Sequence, residues 1–370
     1  MPIRSKGWRV ALTVTVVLAS HNAFALPKHA APVPGATLSL MEGKELSLAS
    51  PILVRAFKKE AELEIWKQGK DGRFVHLKTF PICRWSGQLG PKTAQGDRQV
   101  PEGFYAITPA QMNPNSSFHL SFDIGYPNAY DRAHGGSGAY LMVHGACSSS
   151  GCFAMTDKAV SEIYAIAREA FAGGQQAFQF QSFPFRMSAE NLAKHRSDKH
   201  IDFWRQLKEG SDRFEAIGEA PVVGVSSGRY VFAPSKDVAK EALVKARRAR
   251  EEAAITAIGR KKPAVITTYV DGGQHKSFQA QMKRGRLGAV SQPDALPHAG
   301  REMVIGGAPK ADNAGAKAPD QPSPKRSATK ASVARARAPA SAPVPERPLF
   351  QRLFDVLKPG PTSASGGGST

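Results

Sequence analysis

Where the large apolar side chains stop limits what this chain can fold into more than any other feature. Residues from about 41 to 234 carry a globular mixture, enough for one domain with its own core. Residues 260–346 carry few large apolar side chains and much Pro, Ala, Gly and Lys. Such a stretch buries too little surface to offset chain entropy, so it is expected to be disordered. Between the two, residues 235–259 predict an exposed helix: strong helix formers, mostly charge and alanine, with Ser235 at the N-cap and Gly259 past the end. Near the end, Leu349, Phe350, Leu353, Phe354 and Leu357 stand at helical spacing between Pro348 and Pro359. Residues 347–358 therefore read as a short amphipathic helix, suited to docking on a partner or a membrane surface.

The N-terminus sets the expected compartment. Arg4, Lys6 and Arg9 precede an apolar run over residues 10–19, and Ala23-Phe24-Ala25 offers small residues where a signal peptidase reads. The run is too short for a stable membrane span, so residues 1–25 read as a secretory signal peptide and the body as exported. Residues 26–45, rich in Pro and Ala, read as an extended linker to a domain over 46–234.

The net charge of +19 suggests a nucleic-acid binder until it is mapped. Residues 236–370 hold 24 Lys/Arg against 11 Asp/Glu, and residues 26–235 are nearly neutral. No nucleic-acid motif accompanies the basic tail, and an exported chain rarely meets nucleic acid. An anionic envelope surface is the partner this tail fits, with the flexible stretch as a tether.

Within the domain, residues 51–82 alternate as strands around a turn at Gly69-Lys70-Asp71-Gly72. Residues 100–108 and 117–124 alternate likewise, and residues 140–143 form a short apolar strand. Residues 156–171 switch to helical period, with Ala159, Ile163, Ile166, Ala167 and Ala170 on one face and Thr156 or Asp157 as cap. A strand over 176–185, a short helix over 201–207 and a strand pair over 222–232 follow. The order predicts a mainly β domain, sheet- or sandwich-like, with a few packed helices.

The strand over 140–143 runs into HGACSSSGCFAMTD, residues 144–157. A strand that delivers a His into a Gly-rich loop closed by Gly-Cys suits thiol nucleophilic catalysis. Imidazole raises the thiolate fraction of a neighbouring cysteine by forming a thiolate–imidazolium pair. Gly151 permits a sharp turn before Cys152, and the N–H groups of residues 150–152, flanked by small side chains, are expected to form an oxyanion hole. A metal site is disfavoured: His144, Cys147 and Cys152 lack a C-x-x-C pair, and His134 would have to be the fourth ligand. No cofactor motif is present. The three cysteines leave at least one thiol over. A Cys147–Cys152 disulfide and a Cys83–Cys147 disulfide are both compatible with export; the second leaves Cys152 free. No G-x-S-x-G elbow surrounds the loop serines, and C-x4-C is not the spacing of thiol oxidoreductases.

Several stretches together carry a family resemblance: GPKTAQGDRQVPEGFYAI, HLSFDIGYPNAYDRA, MVHGACSSSGCFAMTD and EIYAIA. In this order they resemble the YkuD-type L,D-transpeptidase catalytic domain, most closely its YafK-like branch, over roughly residues 50–210. The resemblance implies a β-sheet domain acting on peptidoglycan stem peptides in the periplasm. It implies Cys152 as nucleophile on the carbonyl between meso-diaminopimelate and D-alanine, and His144 as general base and acid. Gly145 would orient the ring through its backbone carbonyl. Tyr126, Asn128 and Asp131 become candidates for the substrate wall, with Ser150 and Gly151 beside the nucleophile; ordinary turn chemistry is the other reading of Pro127-Asn128. Many members carry His where this chain has Ser150, and Arg or Asn where it has Ala154. These departures are shared with the YafK-like branch and leave room for hydrolysis. Two alternatives therefore accompany cross-linking. One is an amidase or endopeptidase that releases a wall-linked lipoprotein or peptide with the same Cys–His pair. The other is a non-catalytic peptidoglycan-binding module.

Overall fold

The computed structural model describes residues 26–284 and 300–305. The expected signal peptide and the C-terminal amphipathic helix lie outside the described residues.

The chain opens with helix α1 (Gly35–Gly43) and continues through β1 (Ile52–Phe57), β2 (Glu62–Gln68), β3 (Phe74–Pro81), β4 (Gly103–Ile107), β5 (Met112–Asn113), β6 (Ser121–Asp123), α2 (Ala129–Ala133), β7 (Met142–His144) and β8 (Phe153–Ala154). Then come α3 (Asp157–Ala172), β9 (Phe178–Phe183), α4 (Ala189–Lys194), α5 (Ile201–Ile217), β10 (Val223–Ser226), β11 (Arg229–Phe232), α6 (Val238–Lys261), β12 (Val265–Thr268), α7 (Lys276–Lys283) and β13 (Arg301–Val304). Two sheets dominate. One has strand order β3-β2-β1-β9-β4 and the other β5-β6-β7-β8. The fold is mixed and strand-rich, as the alternating segments imply.

β1 is buried along its whole length because it lies inside the five-stranded sheet, antiparallel to β2 and parallel to β9. The two sheets meet through aromatic side chains. Phe122 of β6 lies 5.7 Å from Phe178, and Phe153 of β8 lies 5.7 Å from Phe180. Each such ring contributes on the order of 2–3 kcal/mol by leaving water. Helix α3 starts where the apolar period starts. Thr156 caps it by accepting from the Ala159 N–H, and Ile163, Ile166, Ala167 and Ala170 are buried. β8 therefore sits between a fixed helix start and a fixed sheet.

Four expectations need correction. Residues 26–45 are not an extended linker: α1 forms there and buries Thr37 and Met41, with Lys78 Nζ and Glu162 meeting at 2.6 Å beside them. The helix expected over 201–207 runs to Ile217, where Gly218 in the left-handed region ends it. The helix expected to be exposed over 235–259 is α6, capped by Asp237 rather than Ser235 and continuing through Gly259. It is exposed along most of its length, as expected, but buries Val244 and Ile255 and docks on α5 mainly through charge, with Lys208–Glu251 at 2.8 Å, Arg213–Glu241 at 3.0 Å and Arg247–Asp212 at 3.3 Å. Apolar periodicity cannot reveal a docking face of that kind.

The fourth correction matters most for the site. The chain does not become disordered at 260. β12 pairs antiparallel with β13, and residues 269–275 run back along the domain as a strap. Trp85 and Gly273 form an antiparallel bridge, Gly272 N–H donates to Gly87 O at 2.6 Å, and His275 N–H donates to Ile82 O at 3.0 Å. A few well-placed groups (Tyr269 against Trp85 at 4.8 Å, for one) hold the strap where average composition offered nothing.

Candidate active site

β7 and β8 form a parallel ladder in which Val143 is level with Phe153 and His144 with Ala154. Cys152 immediately precedes β8, and His144 ends β7, so both flank this strand pair. The Met142 N–H points at Cys152 Sγ, 3.4 Å away, which keeps the sulfur level with the strand that carries His144. Cys152 is partly exposed and is the free cysteine. Cys83 and Cys147 are joined, with their Cα atoms 5.2 Å apart.

His144 is almost wholly buried and lies 4.8 Å from the Phe118 ring. Its Nδ1 is 2.6 Å from Gly145 O. A carbonyl only accepts, so Nδ1 carries the proton and Nε2 keeps its lone pair. Gly145 cannot be anything larger: a Cβ there would stand 2.5 Å from Asp157 Oδ1 and 2.9 Å from Phe118 O. Asp157, in the first turn of α3, also accepts from Ala146 N–H at 2.8 Å. The turn after His144 is thus held by the sheet on one side and by a helix start on the other.

Burial governs the charge of both groups. It lowers the His144 pKa below the usual imidazole value, partly offset by the bond to Gly145. It raises the Cys152 thiol above its usual value, with the Met142 N–H and Lys92 pulling the other way and Asp123 adding to the rise. Both directions favour the neutral form of each group.

The loop between them also departs from expectation. The N–H groups of Gly151 and Cys152 turn inward to the Ser149 hydroxyl, at 3.4 and 3.2 Å. Ser149 Oγ in turn donates to Cys152 O at 2.7 Å and meets Ser86 Oγ at 2.9 Å. Two of the N–H groups expected to form an oxyanion hole are therefore occupied in this conformation. Gly151 adopts φ +128°, which side-chain-bearing residues rarely tolerate. Ser150 is exposed and accepts from Arg98 Nη1 at 3.0 Å.

The candidates in residues 126–131 do other work. Asn128 caps α2 by accepting from Asp131 N–H, and its amide donates to Phe104 O and Tyr230 Oη at 2.9 and 2.8 Å. Asp131 returns the capping box and accepts from Tyr105 Oη at 3.1 Å. Desolvation raises the Asp131 pKa to about 6. These two side chains are spent on the scaffold, as the turn reading has it. Tyr126 is buried, with its hydroxyl 3.4 Å from Lys92 O and its ring 5.7 Å from Lys92 Nζ. Among the described residues, no group of three or more His, Cys, Asp or Glu is placed to hold a metal ion.

With this geometry in view, comparison with known proteins places the chain. Residues 53–172 match the family model of the YkuD L,D-transpeptidase catalytic domain. A protein of Escherichia coli (strain K12) named "Putative L,D-transpeptidase YafK" is 44% identical over 191 residues, covering 51% of this chain and 77% of that protein. Its counterpart in Escherichia coli O157:H7 matches equally. The chain belongs to the YkuD L,D-transpeptidase family. The crystal structure of the helical cell shape determining protein Pgp2 from Campylobacter jejuni aligns at 15% identity over 62% of this chain and 80% of that one. Its TM-score of 0.30 is too low to carry an argument. Asp271 and the strap lie beyond the matched YkuD domain.

Reading the sequence missed Arg98, Ser149, Lys92 and Asp271. Arg98 sits inside a stretch quoted for the family likeness, so its place was marked while its role was not. Asp271 had one signal: residues 264–270, AVITTYV, form a β-branched run followed by a Gly-Gly turn. Averaging over residues 260–346 hid it.

Proposed function

We propose that this chain is a periplasmic L,D-transpeptidase that uses Cys152 as nucleophile and His144 as general base and acid on peptidoglycan stem peptides. The observation that carries the proposal is the β7–β8 ladder. His144 ends one of its strands with its Nδ1 proton committed to Gly145 O, and the free Cys152 immediately precedes the other, which supports this pairing. Membership of the YkuD family supports the substrate class.

In the first half-reaction the Cys152 thiol gives its proton to His144 Nε2 as sulfur attacks the carbonyl between meso-diaminopimelate and D-alanine. The tetrahedral intermediate collapses, the C–N bond breaks, and His144 returns the proton to the departing D-alanine amine. A thioester remains on Cys152. In the second half an acceptor amine attacks that thioester, His144 takes the amine's proton, and the proton returns to the departing sulfur. Tyr126 and Ser150 border the substrate path in this reading. Export of the chain is supported by its basic-apolar-small N-terminal sequence and by the Cys83–Cys147 disulfide. Among the described residues no helix is long and apolar enough to cross a membrane.

The test is incubation of the full chain with tetrapeptide-bearing muropeptides, followed by mass spectrometry of protein and products. An adduct on Cys152 with new 3–3 dimers is the expected result, and Cys152→Ala abolishes both while the circular dichroism spectrum is unchanged. Loss of D-alanine or release of a wall-linked peptide without dimers would assign the same nucleophile to hydrolysis. No adduct on a thiol shown to be reduced would overturn the catalytic reading in favour of a binding module.

A further inference from the structure

The nucleophile loop is braced from outside the matched YkuD domain. Asp271 stands on the strap after β12 and is nearly buried. Its carboxylate meets two arginines: Oδ2 lies 2.7 Å from Arg98 Nη2 and 3.1 Å from Arg84 Nη2. Oδ1 accepts from Gly87 N–H at 3.1 Å and from Arg98 Nε at 3.4 Å. Arg98 spends its remaining donors on the nucleophile loop, with Nη1 to Ser150 Oγ at 3.0 Å and Nη2 to Ser149 O at 3.4 Å.

Arg84 approaches the nucleophile from the other side. Its backbone pairs with Ala154 in both directions, N–H to O at 3.1 Å and O from N–H at 2.9 Å. Ala154 is two residues past Cys152. Asp271 thus balances the charge of two arginines that flank Cys152, one through residues 149–150 and one through residue 154. Arg98 also holds φ +56°, a left-handed conformation that residues with a side chain rarely adopt unless their surroundings impose it. The bidentate carboxylate and the two loop contacts hold it there.

We propose that Asp271 is a positioning residue for the nucleophile: by fixing Arg98 against Ser149 and Ser150, it sets the Gly151–Cys152 turn that carries the thiol. The family-matched domain is in this view completed by a carboxylate that arrives about a hundred residues after the match ends at residue 172. The proposal rests on the catalytic reading for its effect on turnover, and on geometry alone for its effect on the thiol.

The strap has other attachments, at Tyr269–Gln88, Gly272–Gly87, Gly273–Trp85 and His275–Ile82. Asp271→Asn therefore keeps the strap docked while removing the charge. The experiment measures, on the full chain, kcat and KM with muropeptide, melting temperature, and the rate of Cys152 alkylation by iodoacetamide across pH. In Asp271→Asn, kcat falls about tenfold or more with KM little changed, as expected when a reacting atom is misplaced and binding is kept. The loop loosens and the thiol meets water, so alkylation at neutral pH rises by up to about tenfold per unit that the thiol pKa relaxes. Asp271→Glu restores part of both.

Arg98→Gln breaks the same brace from the loop side and serves if Asp271→Asn fails to fold. The double variant Asp271→Asn/Arg98→Gln is expected to fall well short of the product of the two single effects, since both break the shared Asp271–Arg98 contact. Unchanged kcat and alkylation in the folded Asp271→Asn variant, or single effects that multiply in the double, would overturn the proposal. If the natural chain shows no Cys152-dependent turnover, the catalytic reading fails, and the alkylation profile still decides the brace.

Discussion

The five-stranded sheet and the loop region that carries Cys152 draw on apolar burial and on buried charge in different proportions. In the sheet, β1 buries Leu53, Val54 and Ala56 completely, and its neighbours add Leu63, Ile65 and Phe180. Such contacts are non-directional, and losing one costs a graded amount. The sheet also buries Arg55, Glu64 and Lys67, but in the loop region buried charges stand at the centre, among Trp85, Leu89 and Val100. Lys58 and Glu102 pair at 2.8 Å with both side chains fully buried, and Arg84 meets Asp271 at 3.1 Å. Glu102 also accepts from Gly90 N–H at 2.7 Å and Trp204 Nε1 at 2.9 Å, while Lys58 donates to Gly90 O and Val100 O. These bonds fix the irregular segment over residues 87–102, which delivers Arg98. Apolar burial builds a scaffold that tolerates change. Buried ion pairs build a geometry that holds while both partners are present, and a reacting thiol needs that geometry.

The largest effect expected from breaking this contrast is at Glu102. Glu102→Ala leaves the Lys58 charge buried without its partner and is expected to cost about 3–5 kcal/mol by urea unfolding. Ile65→Val in the sheet is expected to cost about 0.5–1.5 kcal/mol. The double variant Lys58→Met/Glu102→Leu removes both charges and recovers part of the Glu102→Ala loss. If the double variant is as unstable as Glu102→Ala, geometry and not charge imbalance is what matters there.

A smaller effect is expected at the disulfide that ties the end of the β3 arm to the nucleophile loop. Cys83 and Cys147 are separated by 64 residues. The paired substitution Cys83→Ser/Cys147→Ser is expected to cost about 2–4 kcal/mol, chiefly by freeing the unfolded chain. Adduct formation on Cys152 is expected to survive at low temperature, because the ladder and Asp157 still hold the turn. Loss of the adduct in a folded paired variant would move the disulfide from scaffold to site.

The same contrast sets how much was legible beforehand. Apolar periodicity marks what apolar contacts build, and it located α3, with its cap narrowed to Thr156 or Asp157, and the hairpin strands around Gly69 and Gly72. The local pattern of a strand, His144, Gly145, Gly151 and Cys152 carried the motif, because those residues are close in sequence. What charge builds over long separations left no such pattern. Asp271 meets Arg98 across 173 positions and Lys208 meets Glu251 across 43, so neither the strap nor the docking of α6 could be read from spacing. Asn128 and Asp131, read as substrate-wall candidates or ordinary turn residues, form a capping box that commits both side chains to the scaffold.

The smallest expected effect is a displacement along the pH axis, and it tests the site's charge state. In the proposed mechanism His144 acts as the free base. Burial lowers its pKa below 6.5, so protonation silences it only as pH falls through a value below 6.5. The acid limb of kcat/KM is therefore expected below 6.5, where a resting thiolate–imidazolium pair would place the imidazole's loss of its proton higher. The thiol moves the opposite way: burial raises the Cys152 pKa above 9.0. Alkylation by iodoacetamide, which reads thiolate, should climb with pH to beyond 9 instead of reaching a plateau near neutrality. Phe118→Ala opens the pocket beside the His144 ring and should let water in. It is expected to move the acid limb up towards 6.5, with kcat at neutral pH changed little. A plateau in alkylation below pH 7 in the natural chain would mean that the imidazole field outweighs burial. The buried-charge side of the molecule would then tune its own nucleophile as well as hold it.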